Sequence, residues 1–353
     1  MLYVGLDLSR KRLDWSALAG DGEVIGRGAS PPDRDGLVHL VREVGREHGG
    51  PVLAAIESMT GARFVHDQLE LAGWDVRIAD AQRAKGIAPL ACKTDRIDAW
   101  VLAELARRDL VPEIWLPGPE VRGERERARF RLHLVHKRTA LKNRVHAILF
   151  QHGLRAPIDD LFGAGGRRFL ERCQLAEPWC SSVAASLYLI DVLEEQIDAI
   201  EGELRRLGGD HRYLPLLMSA PGIGWVLGYT IAAEIGDVER FSTPAKLISY
   251  TGLCPRVRQS GEVDRRGALS KHGPPYLRWA LIEAAHNAIR CYPPYRALAE
   301  RQRARLGKQR GGSVAAITIA RKLAEASWLM LTPQPHLCSG RRQGPFDRLT
   351  VHN

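Results

Sequence analysis

Four carboxylates are spaced so that they could share one chemical task. Asp7 sits near the end of an apolar run at residues 2–8, and Glu57 directly follows a second run, Val52–Ile56. Asp95 and Asp98 stand three apart at the start of a helical pattern, which puts both on one face. If the two apolar runs are neighbouring strands, all four acids converge on one point. Oxygen clusters of this kind bind hard divalent cations, and Mg²⁺ favours a few carboxylates plus substrate phosphate. Two such ions about 4 Å apart clamp the attacking and leaving oxygens of a phosphoryl transfer. The same acids also have plainer uses. Asp7 could cap a turn, and Asp95 and Asp98 suit a helix N-terminus, where negative charge is stabilised.

The elements that must position these acids follow from periodicity. Residues 2–8, 11–18 and 23–27 read as strands, the last two joined by a turn at Gly20-Asp21-Gly22. Residues 34–47 and 61–72 suit helices, Asp75–Ile78 a short strand, and 95–108 a helix with Ala99, Leu102, Ala103 and Ala106 on one side. Strands followed by alternating helix and strand predict an α/β domain with a mixed sheet over residues 1–118. Two long helices follow, at 124–152 and 183–207, with the Gly163–Gly166 loop between them. Their apolar stripes suit an antiparallel arm or coiled coil over 119–210, or two core helices of one domain. A mainly helical third unit, 211–331, opens at Pro221-Gly222-Ile223-Gly224 and a helical run at 225–235. It continues through a polar loop with Gly252, Gly261 and Gly267 to helices near 276–290 and 313–331. The tail, 332–353, rich in Pro, Gly and Arg, is expected to be poorly ordered.

The chain has 353 residues, of which 45% are hydrophobic and 26% charged, and a net charge of +10. Wholesale disorder and fibrous repeats are thereby excluded, and a polyanionic partner is indicated. The charge is uneven. Residues 1–120 hold 15 Lys/Arg and 19 Asp/Glu, whereas 121–353 hold 36 and 22. Six scattered cysteines form no C-x-x-C pair, so reduced thiols in a cytoplasm are expected. Asp7 interrupts the first apolar run, so no leader segment is expected. Tyr213–Ala233 carries no charge over 21 residues, about a membrane span, but Pro215, Pro221, Gly222, Gly224 and Gly228 punctuate it. No membrane partner is expected.

Gly5-Leu6-Asp7-Leu8-Ser9, Ala55-Ile56-Glu57-Ser58 and Lys93-Thr94-Asp95-Arg96-Ile97-Asp98-Ala99 resemble the RuvC-like, ribonuclease-H-fold domain of the DEDD transposases of the insertion-sequence-110 family. The C-terminal unit resembles that family's second domain in order and spacing. The matching words are Ala220-Pro221-Gly222-Ile223-Gly224, Glu234-Ile235-Gly236-Asp237, Tyr250-Thr251-Gly252-Leu253, Gln259-Ser260-Gly261 and Ser270-Lys271-His272-Gly273. The resemblance covers roughly 2–110 and 213–330. It implies that Asp7, Glu57, Asp95 and Asp98 hold divalent metal, taken as Mg²⁺. It further implies that Ser260 attacks DNA and forms a covalent 5′-phosphoserine link, with Ser270 in the same region as the alternative. Ser260 sits in a glycine-flanked polar stretch beside Arg256, Arg258, Arg265 and Arg266, a cationic setting suited to a phosphate. The resemblance also implies a structured non-coding bridge RNA that pairs with donor and target DNA, a division of labour known from guided nucleases.

Three basic stretches, Arg122–Arg144, Arg256–Arg278 and Arg296–Arg310, are dense enough to neutralise several phosphates. Arg131, Lys137, Arg138, Lys142 and Lys271, with the four arginines flanking Ser260, are the candidate nucleic-acid contacts. The turn at Pro221–Gly224 resembles a helix-hairpin-helix turn, whose backbone N–H groups can hold a phosphate. Apolar stripes on the long helices lead us to expect a homodimer assembling to a tetramer around two duplexes. Two other functions fit the same residues: a RuvC-like nuclease using metal-activated water alone, and a non-catalytic nucleic-acid-binding protein.

Overall fold

The computed structural model describes residues 1–47, 49–87, 95–260 and 263–332; the side chains at 46–47, 95–96, 257–260 and 263–266 lie outside the description. Contacts divide the chain into two units, residues 1–116 and 117 onward.

The first unit is built on a five-stranded sheet. Its elements in order are β1 (Leu2–Leu8), β2 (Leu13–Leu18), β3 (Val24–Ser30), α1 (Arg34–Glu47), β4 (Val52–Glu57), α2 (Ala62–Leu71), β5 (Asp75–Ala79), α3 (Ala81–Ile87) and α4 (Asp95–Arg107). The strand order is β3-β2-β1-β4-β5. β1, β2 and β3 pair antiparallel in succession, and β4 and β5 continue parallel to β1. This mixed sheet is consistent with the RuvC-like domain expected from the sequence. Period-two alternation sets the two faces. Leu2, Val4, Leu6 and Leu8 join Leu13, Trp15, Val52, Ile56 and Ile78 in one core, closed by Leu37 and Leu40 of α1 and Val65 and Leu69 of α2. Each large aliphatic side chain so buried contributes about 1.5–3 kcal/mol.

The opposite face packs Leu53, Ala55 and Ala79 against Leu102 and Ala106 of α4. Here α4 lies directly on the β1 backbone at Gly5. A Cβ at that position would fall 1.8 Å from the Ala99 carbonyl oxygen and 2.3 Å from the Ala103 nitrogen. The C-terminal Arg107 of α4 donates to the Gly20 carbonyl at 3.3 Å. That turn stands at the N-terminal end of β1, where Tyr3 pairs with Leu18. The N-terminus of α4 therefore points to the C-terminal ends of β1 and β4.

Among its described residues the second unit is helical apart from one hairpin. It contains α5 (Pro119–Gln151), α6 (Ala164–Arg172), α7 (Trp179–Gly208), α8 (Leu214–Met218), α9 (Trp225–Ile235), α10 (Pro244–Thr251), β6 (Pro255–Ser260), β7 (Val263–Leu269), α11 (Pro275–Cys291), α12 (Pro293–Leu306) and α13 (Lys308–Leu331). Its main core gathers Ile231 and Ile235 of α9, Leu247 of α10, Leu277, Leu281 and Ala284 of α11, Tyr295 and Ala299 of α12, and Ile319 and Leu323 of α13. α5 and α7 run antiparallel, as the order of their ion pairs shows: Arg127 with Glu203, Arg131 with Glu201, then Arg138 and Lys142 with Glu194. Val145, Ile148 and Leu149 of α5, Leu170 of α6 and Val183 of α7 form a smaller core at the far end of the pair.

The near end of α5 is fastened to α9 by buried charge. Glu234 is fully buried, and Arg129 grips it with Nε to Oε1 at 2.7 Å and Nη2 to Oε2 at 3.0 Å. Arg125, also buried, donates to the carbonyl oxygens of Ala233 and Glu234 at 2.8 and 2.7 Å. The hydrogen bond that Arg129 donates to Glu234 raises the Arg129 pKa despite the opposing effect of burial.

Segments of the second unit differ from the sequence reading. The Gly163–Gly166 loop is the start of α6, with Gly163 as its N-cap. Its glycines signalled a loop, but Gly166 is a close-approach residue, since a Cβ there would lie 2.0 Å from the Leu161 carbonyl oxygen. The polar loop read across Gly252–Gly267 contains the β6–β7 hairpin. Its arginines hid the strand alternation. The tail expected to be poorly ordered lies, from residue 333, outside the described residues. Among the described residues no helix is long and apolar enough to cross a membrane.

Candidate active site

Parallel pairing of β1 with β4 matches Leu6 to Ile56, which sets Asp7 and Glu57 level on adjacent strands. Both follow the odd alternation of their strands and so share the face covered by α4. The reversed course of α4 brings its first turn, with Asp95 and Asp98, to the same end of that face. All four expected acids thus come toward one end of one sheet face: two near the C-terminal ends of β1 and β4, one described side chain on α4, and Asp95 by its backbone position. Glu57 and Asp98 are part-exposed, open to a substrate. Among the described residues no three His, Cys, Asp or Glu side chains gather into a metal cage. The donor chemistry nevertheless suits a hard divalent ion, because the acids named are all oxygen donors.

A fifth acid went unnoticed in the sequence. Asp14 is the antiparallel register partner of Asp7 and is buried. Like charges directly opposite destabilise a strand pair. Arg12 answers this with a bidentate pair, Nε to Oδ2 and Nη2 to Oδ1, both 2.8 Å. The signal available in the sequence was Arg12-Leu13-Asp14, two charges two apart on a strand and so on one side of it.

The two candidate serines occupy opposite ends of the β6–β7 hairpin. Ser260 is the last residue of β6 and pairs with Val263, at the hairpin tip. The Gly261 of the Gln259-Ser260-Gly261 motif lies outside the described residues. Arg258 and Arg265 are cross-strand partners, and Arg266 pairs with Val257. Ser270 is at the hairpin base. Its N–H donates to the Cys254 carbonyl at 2.8 Å, and its hydroxyl lies 3.4 Å from the Gly252 carbonyl oxygen. Arg278 donates to the carbonyls of Thr251 and Lys271 at 3.3 and 3.2 Å, tying this base to the C-terminal turn of α10.

The basic candidates divide by their surroundings. Arg131, Arg138 and Lys142 are half-buried and ion-paired with acids of α7, so a substantial part of their charge is answered within the protein. Lys137, Arg256 and Lys271 are exposed. The apolar-stripe reading of α5 did not reveal this pairing, because the answering acids are more than fifty residues away in the chain. At Pro221–Gly224, Gly222 has φ 81°. A Cβ there would meet the Ala284 carbonyl oxygen at 2.3 Å. The turn is therefore seated on α11.

Comparison with known proteins bears on the whole arrangement. A transposase family model of the DEDD insertion-sequence-110 type matches residues 4–153, and a model described as Transposase IS116/IS110/IS902 family matches 214–300. A probable family 20 transposase of Pseudomonas aeruginosa is 29% identical over 290 residues, covering 80% of this chain and 84% of the relative. The transposase for insertion sequence element IS1328 of Yersinia enterocolitica is 28% identical over 80% of this chain and 84% of its own. That for IS1111A of Coxiella burnetii is 28% identical over 69% and 67%. Two matched regions in the order expected, 4–153 and 214–300, together with relatives that are themselves transposases, lead to one conclusion: the chain belongs to the DEDD transposases of the insertion-sequence-110 family.

Proposed function

We propose that this transposase cuts and rejoins DNA through a divalent-metal site at Asp7, Glu57, Asp95 and Asp98 and a covalent intermediate on Ser260. The observation that carries the reading is the level placement of Asp7 and Glu57 on adjacent parallel strands under the N-terminal turn of α4. A DEDD transposase domain implies divalent metal, and we take the ion to be Mg²⁺, which when bound stabilises charge on the transferring phosphoryl group. The acids of this chain hold and orient that site. The Ser260 hydroxyl oxygen forms a bond to phosphorus, the P–O3′ bond breaks, and the serine proton ends on the departing 3′ oxygen. The DNA 5′ phosphate is then held as a serine ester. Attack by a 3′ hydroxyl from another strand reverses these steps and frees the serine. The arginines of β6 and β7 supply cationic surroundings for the phosphate. Ser260 is preferred to Ser270 because it stands at the hairpin tip, whereas the Ser270 hydroxyl faces the Gly252 carbonyl.

The same reading includes donor and target DNA selected by a structured bridge RNA, the α5–α7 pair as a coiled-coil arm, the Pro221–Gly224 turn as a helix-hairpin-helix-like phosphate contact, and a homodimer assembling to a tetramer. The three domains are 1–118, 119–210 and 211–331, acting in the cytoplasm. Ser260→Ala should abolish strand cleavage and leave duplex binding intact, because one hydroxyl adds little to a phosphate-dominated interface. Denaturing gels of a stalled reaction should show protein joined to a DNA 5′ end, with the link mapped to residues 256–273. A link at Ser270 keeps the mechanism and moves the nucleophile. Free cleaved ends without an adduct would favour the RuvC-like reading in which metal-activated water does the cutting.

A further inference from the structure

Between Pro293 and Gly312 the chain carries six Lys/Arg and a single Glu. This stretch is α12, the Gly307 turn and the start of α13. Gly307 has φ 82°, a left-handed conformation that suits glycine and lets the chain reverse. The two helices then touch backbone to backbone at Gly311, where a Cβ would lie 2.4 Å from the Gln302 carbonyl oxygen and 2.6 Å from the Arg303 Cα. That contact brings Arg301, Arg303 and Arg305 of the last turns of α12 beside Lys308 and Arg310 of α13. All five are exposed. Among the described residues none of the five is paired with a carboxylate; the polar contact recorded is Arg305 Nη2 to Gln302 Oε1 at 3.1 Å. The hairpin is held from beneath by buried Tyr295, Ala299, Ala315 and Ala316.

The contrast with α5 is the main argument. There the cations are answered by Glu194, Glu201, Glu203 and Glu234. At the α12–α13 turn five cations are crowded on a rigid support without such partners, and their mutual repulsion is relieved by an external polyanion. Residues 301–310 also lie beyond both matched regions, 4–153 and 214–300. We propose that the α12–α13 hairpin is a docking surface for the sugar-phosphate backbone of duplex DNA. Four of the five cations are arginines, whose planar fork fits phosphate oxygens. No exposed aromatic residue lies between 296 and 312 to stack an unpaired base, so a single strand is the poorer fit. The proposal rests on the DNA substrate of the family and is independent of the serine reading.

The test measures fluorescence anisotropy of the full chain on an uncleaved duplex DNA over a series of salt concentrations. Each phosphate contact contributes about −0.9 to the slope of log affinity against log salt. The variant Arg301→Gln, Arg303→Gln, Arg305→Gln, Lys308→Gln, Arg310→Gln should flatten the slope by about 2 to 4.5 and weaken binding at least about tenfold near 0.1 M salt. An unchanged slope and affinity in a variant of normal helicity overturns the proposal. Should that variant lose helicity, Arg301→Gln, Arg305→Gln, Lys308→Gln decides, with an expected flattening of about 1 to 2.7. A loss seen with a structured RNA and absent with duplex DNA also overturns it. Because binding is read on uncut duplex, failure of Ser260 as nucleophile leaves this result untouched.

Discussion

Replacing Gly5 by alanine tests whether α4 is the carrier that sets the acids in place. The added Cβ would meet the Ala99 carbonyl oxygen at 1.8 Å and the Ala103 nitrogen at 2.3 Å, both main-chain atoms that no rotamer change can move. Restoring an ordinary contact requires α4 to retreat by about 1.5 Å, since attraction turns to steep repulsion inside roughly 3.4 Å. Overpacking of this kind costs about 1–3 kcal/mol, a fall in melting temperature on the order of 4–12 °C for a domain of this size. The functional loss should be larger than the stability loss. Asp98 rides on α4 while Asp7 and Glu57 stay on the sheet, and the divalent ion proposed for these acids, if Mg²⁺, would demand ligands at about 2.0–2.1 Å in near-ideal geometry. A 1 Å misplacement costs about a hundredfold in rate. Gly5→Ala should therefore be folded by circular dichroism and reduced at least about a hundredfold in metal-dependent DNA cleavage. Gly45→Ala on α1, where a Cβ meets nothing within 4 Å, is the control and should cleave normally. If Gly5→Ala melts several degrees lower but cleaves at the wild-type rate, the acids do not depend on α4 for their placement and the reasoning fails.

Further outcomes follow from the ion pairs. Glu234→Gln removes the carboxylate that Arg129, itself part-exposed, grips, and urea unfolding should show a loss of about 1–3 kcal/mol. Glu203→Gln breaks a part-exposed pair with Arg127 and should cost under about 1 kcal/mol. Glu104 is hydrogen-bonded by Arg107 and Arg108, which lower its pKa from 4.5 to about 2. Its stabilisation is complete above pH 4.5 and is lost as pH falls through about 2, so stability measured down that range should decline more steeply in wild type than in Glu104→Gln. Equal slopes would remove Glu104 from the account. Arg12→Ala strips Asp14 of its partner beside Asp7 and should lower stability by about 1–3 kcal/mol, read by thermal unfolding.

Legibility in the sequence followed the physics of each element. The helix at 34–47 and the strand at 2–8 have the bounds predicted, because one carries an apolar stripe and the other strict alternation. The level placement of Asp7 and Glu57 depends on β1 and β4 being neighbours, which the sequence left as a condition and the parallel pairing supplies. The β6–β7 hairpin was not foreseeable, because Arg256, Arg258, Arg265 and Arg266 replace the apolar residues that would mark strands. α12 was hidden by Pro293-Pro294 and its arginines, although proline is well tolerated in a helix's first turn. What one sequence could not reveal was pairing at a distance. The α5 cations look like a nucleic-acid surface until Glu194, Glu201, Glu203 and Glu234 are brought beside them, a result of tertiary packing alone.

The Arg125, Arg129 and Glu234 fastening has a mechanical consequence. α5 has 33 residues and so extends about 50 Å. The fastening grips its first third, so about 30 Å of helix projects beyond Arg129, a lever whose fulcrum sits on α9. A tilt of about 5° at the fulcrum would carry the Gln151 end through about 3 Å. A strain developed in the core around α9 could thus be amplified into a displacement at the distant tip. In the reverse direction, a load at the tip that the α7 ion pairs do not absorb would return to α9 through Arg125 and Arg129, as torque on the Glu234 carboxylate and on the main-chain carbonyls of Ala233 and Glu234.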